Sequence, residues 1–416
     1  MRKKVYVFLN NKTNTLDIIL PLALKIKKID KNFYFQFYTF NKKNFDDINN
    51  NILFKNLIEK LGKLSIFGTT LADTGYNFAR KNKEMTIRER IANLVNFKLL
   101  NQMFILLKIF YLIIYNCLFK SIFIHFHALE KFPLNILYIF KKDHVLLFDS
   151  EPWGHNENIL SAYDIRAHRE IGIKKVTPYI NYDKLISFSK ENKQVEFAKK
   201  NNKNIFFLKS TRADNNWRDY CKVKSLEFLK NNTSLKNKIS GKKVILYLFG
   251  TMDNIVTVDN NYNGEKLFVK TMTALNKIKN TIIIIKPHPN ADLKRLHKLI
   301  IPYNKKNIFI INMHVSVLGN FCNYAISNYM SLALGDAWLT GLKTIEFTVY
   351  NKELLKHTKN NSTIPHFADH FVNINEEKVF LSIINKTVNR KNRVYENDIK
   401  KNDEDLLLSN LIKYFD

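Results

Sequence analysis

Short aromatic and β-branched runs alternate with longer stretches of helical apolar spacing through the first half of the chain. Residues 4–9 (KVYVFL), 33–40 (FYFQFYTF), 64–67 (LSIF), 121–126 (SIFIHF) and 144–148 (HVLLF) predict strands, with helical patterns between most of them. Parallel neighbours need long crossovers, usually helices, so this alternation predicts a parallel α/β sheet. Residues 184–188 (KLISF) and 204–208 (NIFFL) add two strands around a helix that Ser189 is expected to cap. The most apolar stretch, 103–119 (MFILLKIFYLIIYNCLF), is broken by Lys108 and Asn116 and is marginal against the about 20 residues of a bilayer span. It is read as a buried crossover helix, with an interfacial helix touching membrane as the next reading.

A second α/β series follows. Residues 210–240 are polar and predict helix at most, so 216–240 is read as a connector between a first domain, 1–215, and a second, 241–416. The buried run 243–249 (KVILYLF) ends at Gly250-Thr251, and a helix with Phe268, Met272, Leu275 and Ile278 on its apolar face comes next. Strands are predicted at 281–285 (TIIII), 307–311, 323–326 and 343–347, with a helix at 331–339 and a helical tail after 375. The fold expected is α/β: two Rossmann-like domains facing across a cleft, with chemistry in the loops at the carboxyl ends of their strands.

The 11 glycines among 416 residues fall far below the roughly 29 of average usage. None forms G-x-G-x-x-G or a P-loop, which argues against kinases, P-loop ATPases and fingerprint dehydrogenases. The 66 Lys+Arg outweigh 37 Asp+Glu for a net charge of +29, but they are spread along the chain. That spread fits codon bias and loose attraction to an anionic inner membrane better than a nucleic-acid partner, and no nucleic-acid motif accompanies it. Cys117, Cys221 and Cys322 give no disulfide or metal spacing, and the basic N-terminus reads as a first strand, so a cytoplasmic location is expected.

Lys286-Pro287-His288-Pro289-Asn290 directly follows the 281–285 strand. The two prolines are expected to stop the sheet and hold Lys286 and His288 at its carboxyl edge, outside the ladder. A cation, an imidazole and a helix start suit a phosphate leaving group, whose developing charge needs fixed donors. The plainer alternative is a rigid turn whose histidine caps the next helix. Ser327, Asn328 and Ser331 crowd a second helix start, where hydroxyls and the helix dipole favour an anion, with ordinary capping as the alternative. Gly250 and Thr251 complete this set, and Glu346 is a candidate acceptor for ribose hydroxyls.

In the first half, Asp149, Glu151, Trp153 and His155 cluster after the 144–148 strand. A carboxylate or imidazole there is a candidate base for an acceptor hydroxyl, and the indole a sugar platform. Thr69 and Asp73 are thinner candidates for acceptor contacts. His125 and His127 are expected to be one packed, one exposed. His366 and His370 would share a face only if helical; no H-E-x-x-H is present and no metal site is expected.

The run from KKVILYLFG through IIIIKPHPN to ISNYMSLALGDAWLTGLKTIEF resembles the nucleotide-binding half of bacterial GT-B glycosyltransferases with a histidine-proline motif. These are the sialyl- and Kdo-type transferases and the polyglycerophosphate transferases of capsule, lipooligosaccharide and teichoic acid assembly. The resemblance covers residues 241–350. It implies that His288 and Pro289, with Ser327, Asn328 and Ser331, contact the donor phosphate. It also implies a nucleotide-sugar co-substrate, no cofactor, and inverting, metal-independent transfer. Sialyl- and Kdo-type members place a paired-acid-then-glycine motif in the first domain, whose carboxylate is the base. FDSEPWG is the nearest stretch here, but it spaces the acids and inserts Pro-Trp.

The expected protein is therefore a cytoplasmic glycosyltransferase, peripheral to the inner membrane. It would move a sugar from a CMP- or UDP-activated donor to a glycan or glycolipid acceptor of capsule or lipooligosaccharide. A CDP-glycerol or ribitol phosphotransferase and a sugar-nucleotide epimerase are the enzyme alternatives. A basic membrane-surface or nucleic-acid binding protein is the alternative of another class, and it predicts one continuous basic face.

Overall fold

A computed structural model describes residues 2–9, 15–68, 87–130, 132–140, 144–149, 178–190, 192–250, 252, 258–288, 291–303, 305–329, 331–386, 389–395, 399 and 402–416, with backbone alone for 87–101 and 305. The chain divides into two compact units. One takes the described residues of Met1–Glu151, Thr177–Asp214 and Glu396–Asp416; the other takes those of Asn215–Tyr395.

The first unit holds a parallel sheet of β1 (Lys3–Phe8), β2 (Phe33–Thr39), β3 (Gly62–Ile66), β4 (Ser121–His125), β5 (Val145–Phe148), β6 (Lys184–Ser187) and β7 (Asn204–Phe207). Their order is β3-β2-β1-β4-β5-β6-β7. Strict alternation in β2 buries Phe33, Phe35 and Phe37, whose rings stack along one face at 6.4 and 6.0 Å between centroids. The chain winds outward from β1 to β3 and then returns to lay β4 beside β1, pairing Phe8 with His125.

That return is made by the helix Ile87–Leu118. It buries Ile105, Ile109 and Leu112, a stripe at i, i+4 and i+7, in a cluster with Tyr6 and Phe123 of the sheet. The expected burial of this helix therefore holds for one stripe only. Its other sides leave Phe104, Leu107 and Phe110 exposed. Among the described residues, no helix is long and apolar enough to cross a membrane.

Two local expectations are corrected in this unit. Asn192, not Ser189, caps the helix Lys193–Lys200 by accepting from the Val195 amide at 2.8 Å. The C-terminal helix Glu404–Phe415 belongs here and not to the second unit. Asp403 exchanges bonds with the Phe207 backbone at 2.9 and 3.1 Å, Glu404 pairs with Lys25 at 2.8 Å, and Phe415 sets its edge on Phe33.

The second unit holds β8 (Lys243–Phe249), β9 (Thr281–Pro287), β10 (Ile308–Ile310), β11 (Tyr324–Ser327), β12 (Lys343–Thr348) and β13 (His370–Asn373). The order β10-β9-β8-β11-β12-β13 is again parallel throughout. The helix Gly264–Asn276 packs Leu267, Phe268, Met272 and Leu275 onto one face of the sheet, over Tyr247, Ile285 and Ile326. Residues expected as a connector form the helices Asn215–Asn231 and Thr233–Ile239, which bury Trp217, Cys221 and Leu235 and so are part of this unit. His370 opens β13 while His366 lies in a turn, so the two share no helix face. Asp369 is engaged by Arg393 at 2.8 Å and by the Thr344 amide at 3.0 Å.

Candidate functional site

The second sheet reverses its strand order between β8 and β11, and a parallel sheet opens a crevice at the carboxyl ends of its strands at such a point. Gly250 leaves β8 there, and Ser327 ends β11 there. Register places Lys286, Leu248, Ser327 and Glu346 in one row across β9, β8, β11 and β12. Equal register and alternation put these four side chains on one face, opposite the Phe268 and Met272 cluster.

Among the described residues, two hydroxyls on this face are buried without a hydrogen-bond partner, Ser327 Oγ and Thr348 Oγ1, and Glu346 Oε2 between them has no bond of ordinary geometry, although Ser362 and Thr363 lie close enough to steady the carboxylate. All three residues are 0% exposed. Native interiors satisfy most such atoms, so a cluster of exceptions at the carboxyl ends of adjacent strands calls for an explanation, and a polar ligand is one. The other oxygen of Glu346 accepts from Tyr350 Oη, which shares a further bond with Thr363 Oγ1 at 3.0 Å. Burial raises the Glu346 carboxyl above its ordinary value, which favours its protonated form.

Asn328, the next residue, is used differently. Its Nδ2 donates to Thr271 Oγ1 at 2.8 Å and to the Phe347 carbonyl at 2.7 Å, and its Oδ1 accepts from Tyr247 Oη. The amide thus ties β8, β12 and the Gly264–Asn276 helix together and fixes the backbone on which Ser327 sits. Tyr329 then crosses the end of β8. A Cβ on Gly250 would lie 1.4 Å from Tyr329 Oη, so this position accepts glycine alone while the ring keeps its place. Ser331 stands at the N-cap of the helix Leu332–Leu339 with no side-chain cap bond, so ordinary capping does not account for its hydroxyl.

The lysine-histidine segment departs from expectation in one respect. β9 runs on through Pro287, so Lys286 pairs with Leu248 inside the ladder. Pro287 is tolerated because its missing N–H falls on the side of β10, which has already ended at Ile310. His288 is exposed, and its amide donates to the Phe249 carbonyl at 2.7 Å, which pins it to the end of β8. Its own carbonyl accepts from Ala291 at 2.8 Å. Asp292, not His288, caps the helix Leu293–Leu299 by accepting from the Arg295 amide at 3.0 Å. A carboxylate already occupies that helix start, and the Lys286 ammonium donates to the Pro287 carbonyl at 2.9 Å.

In the first unit, Asp149 follows β5. Its amide donates to the Ile186 carbonyl at 2.9 Å, and its Oδ2 accepts from Asn192 Nδ2 at 2.7 Å. Beside β5, β4 ends in His125 and His127 follows, at the point where this sheet reverses its own strand order. His125 is fully buried, its Nδ1 accepts from the Leu129 amide at 3.4 Å, and burial pushes its imidazole down to about 3. His127 is half-buried, has a left-handed φ of 128° and stacks on Tyr179 at 5.8 Å. A strained non-glycine backbone at a strand's carboxyl end marks a position worth functional scrutiny. The paired histidines are visible in SIFIHFH, where one packed and one exposed are expected; His125 is packed, but His127 is half-buried and not exposed. Thr69, Asp73, Glu151, Trp153, His155, Thr251 and Pro289 lie outside the described residues.

No protein-family model and no curated protein matches the sequence. Among solved structures, the chain is similar to a UDP-GlcNAc 2-epimerase from Neisseria meningitidis bound to UDP-GlcNAc, at 13% identity and TM-score 0.46, covering 99% of this chain and 100% of that one. It is similar to TcCGT1 in complex with UDP at 10% identity and TM-score 0.47, covering 100% and 99%. It is also similar to the glycosyltransferase SnogD from Streptomyces nogalater at 8% identity and TM-score 0.43, covering 86% and 85%. At such identity and overlap, fold and site rest on the strand order and side chains described above.

Proposed function

We propose that the protein is a nucleotide-sugar-dependent glycosyltransferase of GT-B type whose donor site is the carboxyl edge of the second sheet. The observation that carries this reading is the pair of buried hydroxyls Ser327 Oγ and Thr348 Oγ1, without partners among the described residues, beside the β8/β11 reversal. Lys286 and His288 stabilise the leaving phosphate as its charge develops, and the Ser327 and Ser331 hydroxyls hold it. Asn328 keeps the Ser327 segment in position. Glu346 serves the donor's hydroxyls through the oxygen that Tyr350 does not take. A base on the first sheet's edge, from the set Asp149, Glu151 and His155, takes the acceptor proton, with Thr69, Asp73 and Trp153 as acceptor contacts. Transfer is inverting and uses no metal. The donor is a CMP- or UDP-sugar, and the acceptor is a capsule or lipooligosaccharide glycan or glycolipid, reached in the cytoplasm at the inner membrane.

His288→Ala tests the reading. Donor turnover should fall on the order of 100-fold, the usual cost of one fixed donor to a developing anion, while the circular dichroism spectrum stays that of the parent. Undiminished transfer and donor hydrolysis in that variant would falsify the role of His288. A donor panel read by mass spectrometry separates sugar transfer from transfer of glycerol phosphate out of CDP-glycerol.

A further inference from the structure

The helix Ile87–Leu118 is apolar on both sides over its last turns. Ile105, Ile109 and Leu112 face the first sheet, while Phe104, Leu107, Phe110, Tyr111, Ile114 and Leu118 face outward, each at least 51% exposed. At 100° per residue these six occupy one arc of about 120°. From 103 to 118 the one charged residue is Lys108, whose ammonium is turned onto the Ile66 and Phe67 carbonyls at 2.9 and 2.8 Å. The helix Asn135–Phe140 packs against it and exposes Ile139 and Phe140 as well. Three of the six outward residues are aromatic, and an aromatic side chain alone spans roughly 150–250 Å². The face therefore exceeds the few hundred Å² that a monomeric protein ordinarily leaves bare. A helix that is apolar all round needs cover on both sides, and the sheet supplies one of them.

Charge selects the cover. A second copy of this chain would bring two bodies of net charge +29 together, whereas an anionic surface attracts them. With Lys108 turned inward, the helix and the second residue after it carry Arg88, Arg90, Lys98 and Lys120 against the single acid Glu89. An apolar arc with Tyr at its edge and basic residues at its ends is the composition of a helix lying in the headgroup layer of a bilayer. We propose that the 104–118 face of this helix is the surface by which the protein docks on an anionic bilayer, lying flat and not spanning it. This rests on the membrane side of the proposed function and deepens it by naming the surface.

Cosedimentation of the full chain with vesicles of phosphatidylcholine, with and without phosphatidylglycerol, tests it. The parent should pellet with phosphatidylglycerol vesicles and less so at high salt. The double variant Leu107→Glu, Phe110→Glu should lose partitioning by about tenfold or more, with Phe104→Ser showing a smaller loss. Both variants alter exposed positions, and unchanged thermal melts confirm their folding. A parent chain that stays in solution overturns the proposal, as does a double variant that pellets like the parent. A parent that is a dimer by light scattering, made monomeric by the double change, overturns it too. Donor hydrolysis without vesicles should be equal in parent and variants. Vesicle binding by a chain that hydrolyses no donor overturns the proposed function and leaves this surface standing.

Discussion

Ser327→Ala separates a ligand site from a structural residue by the sign of its effect on stability. In the free protein the Ser327 hydroxyl is 0% exposed and has no hydrogen-bond partner among the described residues. A buried polar group in that state costs about 1–3 kcal/mol, and deleting the hydroxyl to leave the alanine methyl removes the penalty but leaves a small void. The variant should therefore be more stable by about 1–2 kcal/mol after a small loss of packing, or roughly 2–4 °C per kcal/mol in Tm for a domain of this size. The same change should lower donor turnover, because the hydroxyl held unpaired for the donor is gone. Urea unfolding followed by circular dichroism gives the first quantity, and donor hydrolysis gives the second. A destabilised variant would overturn the burial argument, since it shows that the hydroxyl has a partner in the free protein. A variant both more stable and fully active would remove the donor role while leaving the burial argument intact.

Asn328→Ala, one residue on, should do the opposite. It strands Tyr247 Oη, Thr271 Oγ1 and the Phe347 carbonyl in the interior, and at about 1–3 kcal/mol for each unsatisfied group the loss should reach about 3–5 kcal/mol in urea unfolding. An Asn328→Ala melt within 2 °C of the parent, a span of roughly 1 kcal/mol, would show that this network carries little. His125 gives the protein an acid limit. Burial lowers its imidazole from 6.5 to about 3, so the unfolded chain binds the extra proton first as pH falls. Its contribution is fully present above pH 6.5 and is lost as pH falls toward 3, with a ceiling of about 5 kcal/mol at 1.36 kcal/mol per unit. His125→Asn should flatten the pH dependence of stability across that window, and an unchanged profile counts against it.

Much of the second sheet is legible in the sequence, because parallel strands buried on both faces are continuous apolar runs. KVILYLF becomes β8 to the residue, and KTIEF gains only Thr348 in β12. β13 (HFVN) is hidden because it is short and mixes His and Asn into the strand. The polar 215–239 segment conceals helices that touch the core through few residues, chiefly Trp217, Cys221 and Leu235, too narrow a stripe to stand out. The C-terminal helix is legible as a helix, but its partner is not: Asp403 pairs with Phe207 from almost two hundred residues away, and no local pattern encodes that.

The same division runs through the site. The placing of His288 and Ser327 at strand ends follows from strand, proline and helix signals. That Asp292 takes the cap, that Asn328 turns inward and that Pro287 continues the ladder all depend on neighbours the sequence does not place. His127 is hidden for the same reason, since its left-handed backbone leaves no mark in period-two alternation.

Hydrogen exchange read by mass spectrometry on the full chain, with CMP, UDP or no nucleotide, tests the donor site most directly. One nucleotide should slow exchange in peptides covering Gly250, 286–288 and 327–332 at the β8/β11 reversal. Protection confined to the first sheet's edge at 125–127, or none at the reversal with a nucleotide that is demonstrably bound, would contradict a donor site on the second sheet.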